Sequence, residues 1–262
     1  MSVARKAGLV TGAGGRLGRA MAVELAEMGF DVAIHYASSD KGALETARLV
    51  EAVGRKAAVL KADLLDADQT DGLVERAKSE LGQLTVLINN ASIFEHDTIE
   101  TATRDSWARH IGSNLHAPFV LTQAFAAQAP ATARDAEGEQ SASACVINMV
   151  DQRVRKLTPE FMTYTIAKMG LWAFTQTAAQ ALAPAIRVNG IGPGPTLQGG
   201  RQSAEHFQEQ REATILGRGS TPKGIVRAMR YLIETDEVTG QLLCVDGGQH
   251  LGWQTPDVLG VE

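Results

Sequence analysis

The sequence predicts an α/β fold: one doubly wound domain around a mainly parallel seven-stranded sheet. Three observations predict it. Short apolar runs alternate with longer amphipathic ones along the chain, and seven of the short runs have strand length. The gaps between those seven are long enough to hold helices, which is the pattern of βαβ units. The first apolar run passes directly into a glycine-rich turn and a helix-like segment. With 262 residues and 44% hydrophobic content, the chain is large enough for one such domain and its core.

The elements follow in order. Strands are expected at Ala7–Val10, Val32–His35, Ala57–Lys61, Val86–Asn89, Ala144–Asn148, Arg187–Ile191 and Leu242–Val245. Helices fill the gaps at Arg16–Met28, Lys41–Val53, Ala67–Leu81, Arg104–Gln128, Glu160–Leu182, Gln202–Ile215 and Pro222–Glu234. Right-handed crossovers leave a doubly wound sheet as the simplest topology. Ligands of such sheets bind outside the carboxyl ends of the strands, so the loops after the first six strands should carry the site. The segment 129–143, rich in Ala, Glu, Gln and Ser, has the composition of a mobile stretch and reads as a surface insertion at the amino end of the fifth strand. The Pro- and Gly-rich stretch that opens 192–216 lies at a carboxyl end and reads as a substrate loop. Trp253 in the tail suggests a subunit contact.

Charge and composition exclude several function classes. A net charge of −5 leaves no basic footprint for nucleic acid. No apolar run approaches the length of a membrane span. The basic pair near the start is followed by too short an apolar stretch for a signal peptide, so a cytoplasmic location is expected. Cys145 and Cys244 sit in apolar runs and read as buried thiols, and the six histidines show no ligand spacing, so no metal site is expected.

The chemistry starts in the run Thr11-Gly12-Ala13-Gly14-Gly15-Arg16-Leu17-Gly18. A strand, a tight glycine turn and a helix start present backbone N–H groups and a helix dipole to a pyrophosphate. Arg16 adds a permanent cation with a planar fork of donors to that cradle. Further on, Tyr164 and Lys168 lie four apart, on one face of a helix. A free tyrosine ionises only near pH 10, and a neighbouring ammonium lowers that value, so the pair can donate a proton to a group being reduced.

The glycine turn, Asn89-Asn90-Ala91, Tyr164-x-x-x-Lys168, Pro193-Gly194 and Asp246-Gly247-Gly248 together resemble the short-chain dehydrogenase/reductase family over nearly the whole chain. The resemblance implies a Rossmann-type fold with Tyr164 as proton donor and Lys168 on the nicotinamide ribose. It also implies Asn114 in a proton relay. Cofactor contacts are implied at Gly12, Gly14, Arg16, Leu17, Gly18, His35, Tyr36, Ser38, Ser39, Asp63, Leu64, Asn90, Ala91, Ser92, Lys168, Pro193 and Gly194. A homo-oligomer is implied too, commonly a tetramer or dimer that packs the fourth and fifth helices across an interface. The Ala-rich stretches Ala124–Ala131 and Ala178–Ala185 would permit close helix approach, there or inside one protomer.

Two departures narrow the resemblance. Asp151 stands where the family usually has a catalytic serine, thirteen residues before the tyrosine, and Arg16 replaces the middle glycine of the turn. Both are similar to the pteridine reductases, a subgroup that includes dihydromonapterin and folate-type reductases. Ser92 and Phe94 match that subgroup as well, and Phe94 is implied to stack on the pterin. Better-known members carry an arginine where this chain has Ala37. The substitutions agree chemically: an ionised aspartate only accepts hydrogen bonds, which suits an aminopteridine with N–H donors and a reducible C=N bond. Substrate contacts are therefore expected from Arg16, Ser92, Phe94, Asp151 and Tyr164. The alternatives are that Asp151 caps a turn, Asp63 a helix or turn and Ser92 a loop, and that Phe94 is a core aromatic. Because β-strand two ends without a carboxylate, NADPH is expected over NADH. The alternatives are a carbonyl reductase of the same family and a non-catalytic NADP(H)-binding regulator.

Overall fold

The structure, a computed structural model, describes residues 6–199 and 202–255. Residues 200 and 201 of the expected substrate loop and 256–262 of the tail lie outside that range. The chain runs β1 Lys6–Val10, α1 Arg16–Glu27, β2 Phe30–Tyr36, α2 Asp40–Ala52, β3 Ala57–Lys61, α3 Ala67–Asp71, α4 Leu73–Leu81 and β4 Val86–Asn89. It continues with α5 Arg104–Ile111, α6 Ala117–Gln128, β5 Ala133–Arg134, β6 Gln140–Ser141, β7 Ala144–Met149 and α7 Met162–Leu182. It closes with β8 Ile186–Pro193, α8 Ala204–Glu212, α9 Pro222–Glu234 and β9 Leu242–Val245. Seven strands form one sheet in the order β3-β2-β1-β4-β7-β8-β9, and every pairing is parallel. This is the doubly wound, Rossmann-type α/β architecture.

The strands are predominantly apolar because both faces of the sheet are covered. Successive residues point to opposite faces, and two cores result. Val10, Val32, Ile34, Val86, Ile88 and Ile147 pack against α1, α2 and α9. Leu9, Ala33, Leu87, Val146 and Val188 pack against α4, α6 and α7. Ala178 and Ala179 are buried in that second core, and Ala124, Ala126 and Ala129 pack against it. Much of both Ala-rich stretches thus serves close packing inside the protomer.

Helix boundaries depart from the sequence pattern where a local cause acts. The expected helix Ala67–Leu81 breaks at Gly72 into α3 and α4. The expected helix Arg104–Gln128 widens into a π-turn over Gly112–His116. Pro118, in the first turn of α6, explains it: its ring has no N–H for the carbonyl four residues back, at Asn114, and clashes with an ordinary α-turn there. The segment 129–143 carries a small exposed hairpin, β5 against β6, at the amino end of β7. Among the described residues, no helix is long and apolar enough to cross a membrane, and no group of three or more His, Cys, Asp or Glu side chains is placed to hold a metal.

Candidate active site

The turn after β1 is shaped by what its glycines avoid. A Cβ on Gly18 would lie 2.2 Å from the Gly12 carbonyl oxygen, and one on Gly14 would lie 2.9 Å from Ser39. Gly12 itself has φ +64°, a conformation that favours glycine. Gly15 is different, because a Cβ there would meet nothing within 4 Å. It faces open space at the start of α1, whose first turn has no side-chain cap and no acidic residue. Uncapped N–H groups at the positive end of a twelve-residue helix fit an anionic diphosphate. Arg16 completes the cradle with φ +51°, which a non-glycine residue adopts only at a cost. Its guanidinium donates to the Leu197 carbonyl at 3.2 Å, reaching the loop after β8.

Side chains around this turn bond mainly to one another. His35 accepts from the Gly12 N–H at 3.0 Å through Nδ1, so its proton sits on Nε2, 3.1 Å from the Ala62 carbonyl. Burial pushes its pKa down to about 4 and keeps the ring neutral. Thr11 Oγ1 accepts from the N–H groups of Asn90 and Ala91, and Asn90 Nδ2 donates to the Thr11 carbonyl at 2.8 Å. Ser39 donates to the Gly14 carbonyl, Ser38 is exposed, and Tyr36 bonds to Asp40. Asp63 accepts from the Leu65 N–H at 3.0 Å and so caps its own turn, Leu64 lies in the second core and Leu17 packs on the first. Gly194, after Pro193, donates to the Val245 carbonyl at 3.0 Å and lies so near Asp246 that a Cβ would come within 2.6 Å of it.

Across the crevice, four candidate catalytic residues occupy the ends of β7, α7 and the π-turn. Tyr164 donates its phenolic O–H to Asp151 Oδ2 at 2.8 Å. Asp151 also caps the short turn 152–154, accepting from the Arg153 N–H at 2.8 Å, so its turn-capping role is met while its other oxygen faces the phenol. The Ser92 hydroxyl lies near the same phenol and donates to the Ile93 carbonyl at 3.4 Å. Lys168 donates to the Met149 carbonyl at 2.7 Å and lies 5.7 Å from the Tyr164 ring centre. Asn114 is fully buried and exchanges two 2.8 Å hydrogen bonds with the backbone of Ile93. It therefore fixes the loop that carries Ser92 and Phe94.

Burial dominates the electrostatics here. It raises the pKa of Asp151, against the Arg153 N–H, the Tyr164 hydroxyl and the Arg153 and Lys168 charges. Burial, then the Asp151 charge and its hydrogen bond, holds Tyr164 well above its ordinary range. Burial brings Lys168 down to about 8, while Asp151 opposes the shift. From the sequence, Lys168 is expected to lower the tyrosine; in this arrangement burial and the facing carboxylate outweigh it, and Tyr164 is a neutral phenol.

An aromatic wall closes this side. Phe94 is half-exposed and lies outside both cores. Its ring stacks on Phe161 at 4.3 Å, nearly parallel, and meets the Tyr164 edge at 4.7 Å. Arg153 lies 4.8 Å from the Phe161 ring centre and donates to Thr158. Beneath the wall, Asp97 accepts from Thr163 and Ser106, and His110 bridges Thr163 to the Glu95 N–H. The structure thus gathers Ser92, Phe94, Asp151 and Tyr164, while Arg16 reaches toward Leu197. Phe161 and Arg153 were missed in the sequence; the spacing of Phe161, three before Tyr164, was the available signal.

Comparisons with known proteins bear on the family and the fold. A family model described as enoyl-(acyl carrier protein) reductase matches residues 12–250. An uncharacterized oxidoreductase of Methylorubrum extorquens is 34% identical over 251 residues, covering 93% of this chain and 97% of that one. The crystal structure of FolM alternative dihydrofolate reductase 1 from Brucella suis in complex with NADP is similar with a TM-score of 0.90 and 40% identity, over 98% and 99% of the two chains. The landomycin C-6 ketoreductase LanV, solved with NADP and rabelomycin, is similar with a TM-score of 0.82 and 27% identity, over 95% and 98%.

Proposed function

The chain belongs to the short-chain dehydrogenase/reductase family of NAD(P)-dependent oxidoreductases, and from that premise we propose that it reduces a C=N bond of a dihydropterin, dihydromonapterin or dihydrofolate-like ring with NADPH. One observation carries the reading: Tyr164 donates to a carboxylate, Asp151, at 2.8 Å. A serine at that position would donate to a substrate carbonyl; a carboxylate can only accept. It suits a ring edge with N–H donors, such as an aminopteridine.

The cofactor, when bound, supplies a hydride to the ring carbon. The α1 N-terminus with Gly12, Gly14, Arg16 and Gly18, the turn at Ser38 and Ser39, and Lys168 with Pro193 and Gly194 are the residues that would hold it. The phosphorylated form is favoured because the carboxylate nearest the end of β2, Asp40, is engaged by Tyr36, leaving the exposed Ser38 hydroxyl to meet a phosphate. The neutral Tyr164 gives its proton to the ring nitrogen. Asp151, whose burial raises its proton affinity, then takes up a proton from solvent and returns it to the phenolate. Phe94 offers a flat apolar face beside the phenol, and Ser92 meets the ring edge. We assign the whole chain to a single catalytic domain. The exposed apolar side chains of α5, α6 and α7, including Trp107, Phe119, Ile166 and Met169, are assigned to contacts within a homo-oligomer.

The test is NADPH oxidation with dihydrobiopterin, dihydromonapterin and dihydrofolate beside a panel of ketones. Turnover of the pteridines supports the reading. Turnover of ketones alone replaces it with the carbonyl-reductase reading, which the likeness to LanV favours. NADPH binding without any turnover leaves a regulator.

A further inference from the structure

We infer that Phe161 is a positioning residue that sets the plane of Phe94 for a flat substrate, an inference that rests on the pteridine reading above. Among the described residues, the two non-glycine residues with positive φ are Arg16 and Phe161, and both flank the crevice. Phe161, at φ 57° and ψ 48°, occupies left-handed backbone that bulky side chains avoid. Secondary structure does not explain it. It stands at the N-cap of α7, where Ser, Thr, Asp or Asn would bond to the helix, and it makes no such bond. Core packing does not explain it either, because its ring belongs to neither hydrophobic core.

The contacts of the ring do account for it. One partner is Phe94, stacked at 4.3 Å with a 5° interplanar angle. His96 meets the ring edge-on at 5.0 Å, and the Arg153 guanidinium lies 4.8 Å from its centre. The backbone on either side is held as well. The Met162 N–H donates to the Asp97 carbonyl, the Thr163 N–H donates to the Asp97 carboxylate at 3.1 Å, and His96 pairs with Glu160. The loop after β4 and the start of α7 are therefore one unit, and the left-handed turn directs Phe161 against Phe94. Strain that persists beside a site, where surrounding contacts over-determine it, marks a functional geometry. With one face of Phe94 covered by Phe161, its plane is fixed, and the half-exposed ring keeps area for stacking beside the Tyr164 hydroxyl.

Three variants test this in the full chain. Phe161→Leu keeps apolar bulk without a flat face, Phe161→Gly removes the ring and relaxes the backbone, and Phe161→Tyr restores the ring. With dihydrobiopterin, the Leu and Gly variants are expected to raise KM about tenfold with kcat within about twofold of the parent, the scale of one lost aromatic stack. The Tyr variant is expected to keep the parental KM. Phe161→Gly should lose less stability than Phe161→Leu, because both lose the stacked ring and glycine alone takes this backbone without strain. A parental KM in Phe161→Leu overturns the inference, as does a fall in kcat with KM unchanged. If the parent reduces ketones alone, the pteridine reading has failed on its own. The same variants then compare a flat aromatic ketone with an acyclic one: a KM rise for the flat ketone alone upholds Phe161, and equal effects on both overturn it.

Discussion

The two walls of the crevice are built on opposite plans. On the glycine-turn wall, the polar side chains of Thr11, His35, Asn90 and Ser39 bond to the protein itself, leaving backbone N–H groups at the start of α1 to face outward. On the catalytic wall, Tyr164 and Lys168 are buried and Asp151 partly so, all with shifted proton affinities, and the aromatic pair is partly open. The first wall spends its side chains on rigidity, and recognition there falls to the backbone. The second spends stability on side-chain chemistry. That contrast explains why a neutral, fully bonded histidine belongs to one wall and a strained phenylalanine to the other.

The sharpest way to break the contrast is Tyr164→Phe. It removes the proton donor while leaving the packing, so kcat should fall about 10²- to 10⁴-fold with NADPH affinity within about twofold, read by stopped-flow and fluorescence titration. A small loss would show that the catalytic wall does not depend on this side chain.

The glycine-turn wall should respond to acid instead. Folded His35 refuses a proton until about pH 4, whereas the unfolded chain takes one up near its ordinary value. Stability contributed by the neutral ring is therefore complete above about pH 6.5 and drains away as pH falls toward about 4, by about 3 kcal/mol in all. Urea unfolding at several pH values should show that slope, and His35→Asn should flatten it.

Lys168 sharpens the comparison in the alkaline direction. With its pKa brought down to about 8, the ammonium is lost above that pH in the folded chain, although the unfolded chain still holds the proton. Activity that needs the charge should fall about tenfold per pH unit above 8. Stability should not fall with it over that range, because the unfolded state binds more protons there and rising pH favours the fold. A parallel loss of both would mean unfolding.

The exposed hairpin β5–β6, at the opposite end of the sheet, is the control and the smallest effect. Glu137→Ala there should change stability by less than about 0.5 kcal/mol and leave kcat and KM alone.

Much of this was legible in the sequence. The seven strands fall where the apolar runs do, because a parallel strand covered on both faces admits few polar residues. The glycine turn was legible because close backbone approach excludes side chains, as Gly18 shows against the Gly12 carbonyl. The pairing of Asp151 with Tyr164 was implied by the family resemblance, which puts Asp151 at the usual serine position, and the structure supplies the hydrogen bond. The broken helices were not anticipated, although Gly72 and Pro118 were visible, because helical periodicity continues across such residues.

The sequence by itself determined the order of the elements, the glycine turn and the residue types of the candidate catalytic wall, because each is a local pattern that a short stretch of chain must satisfy alone. Only the tertiary structure decided what those residues touch. His35 meets Gly12 because β2 lies beside β1, and Phe94 meets Phe161 because the loop after β4 is fastened to the start of α7 through Asp97. Such pairings depend on which strands become neighbours and in what register, a long-range choice that burial of both sheet faces makes collectively and that no local spacing encodes.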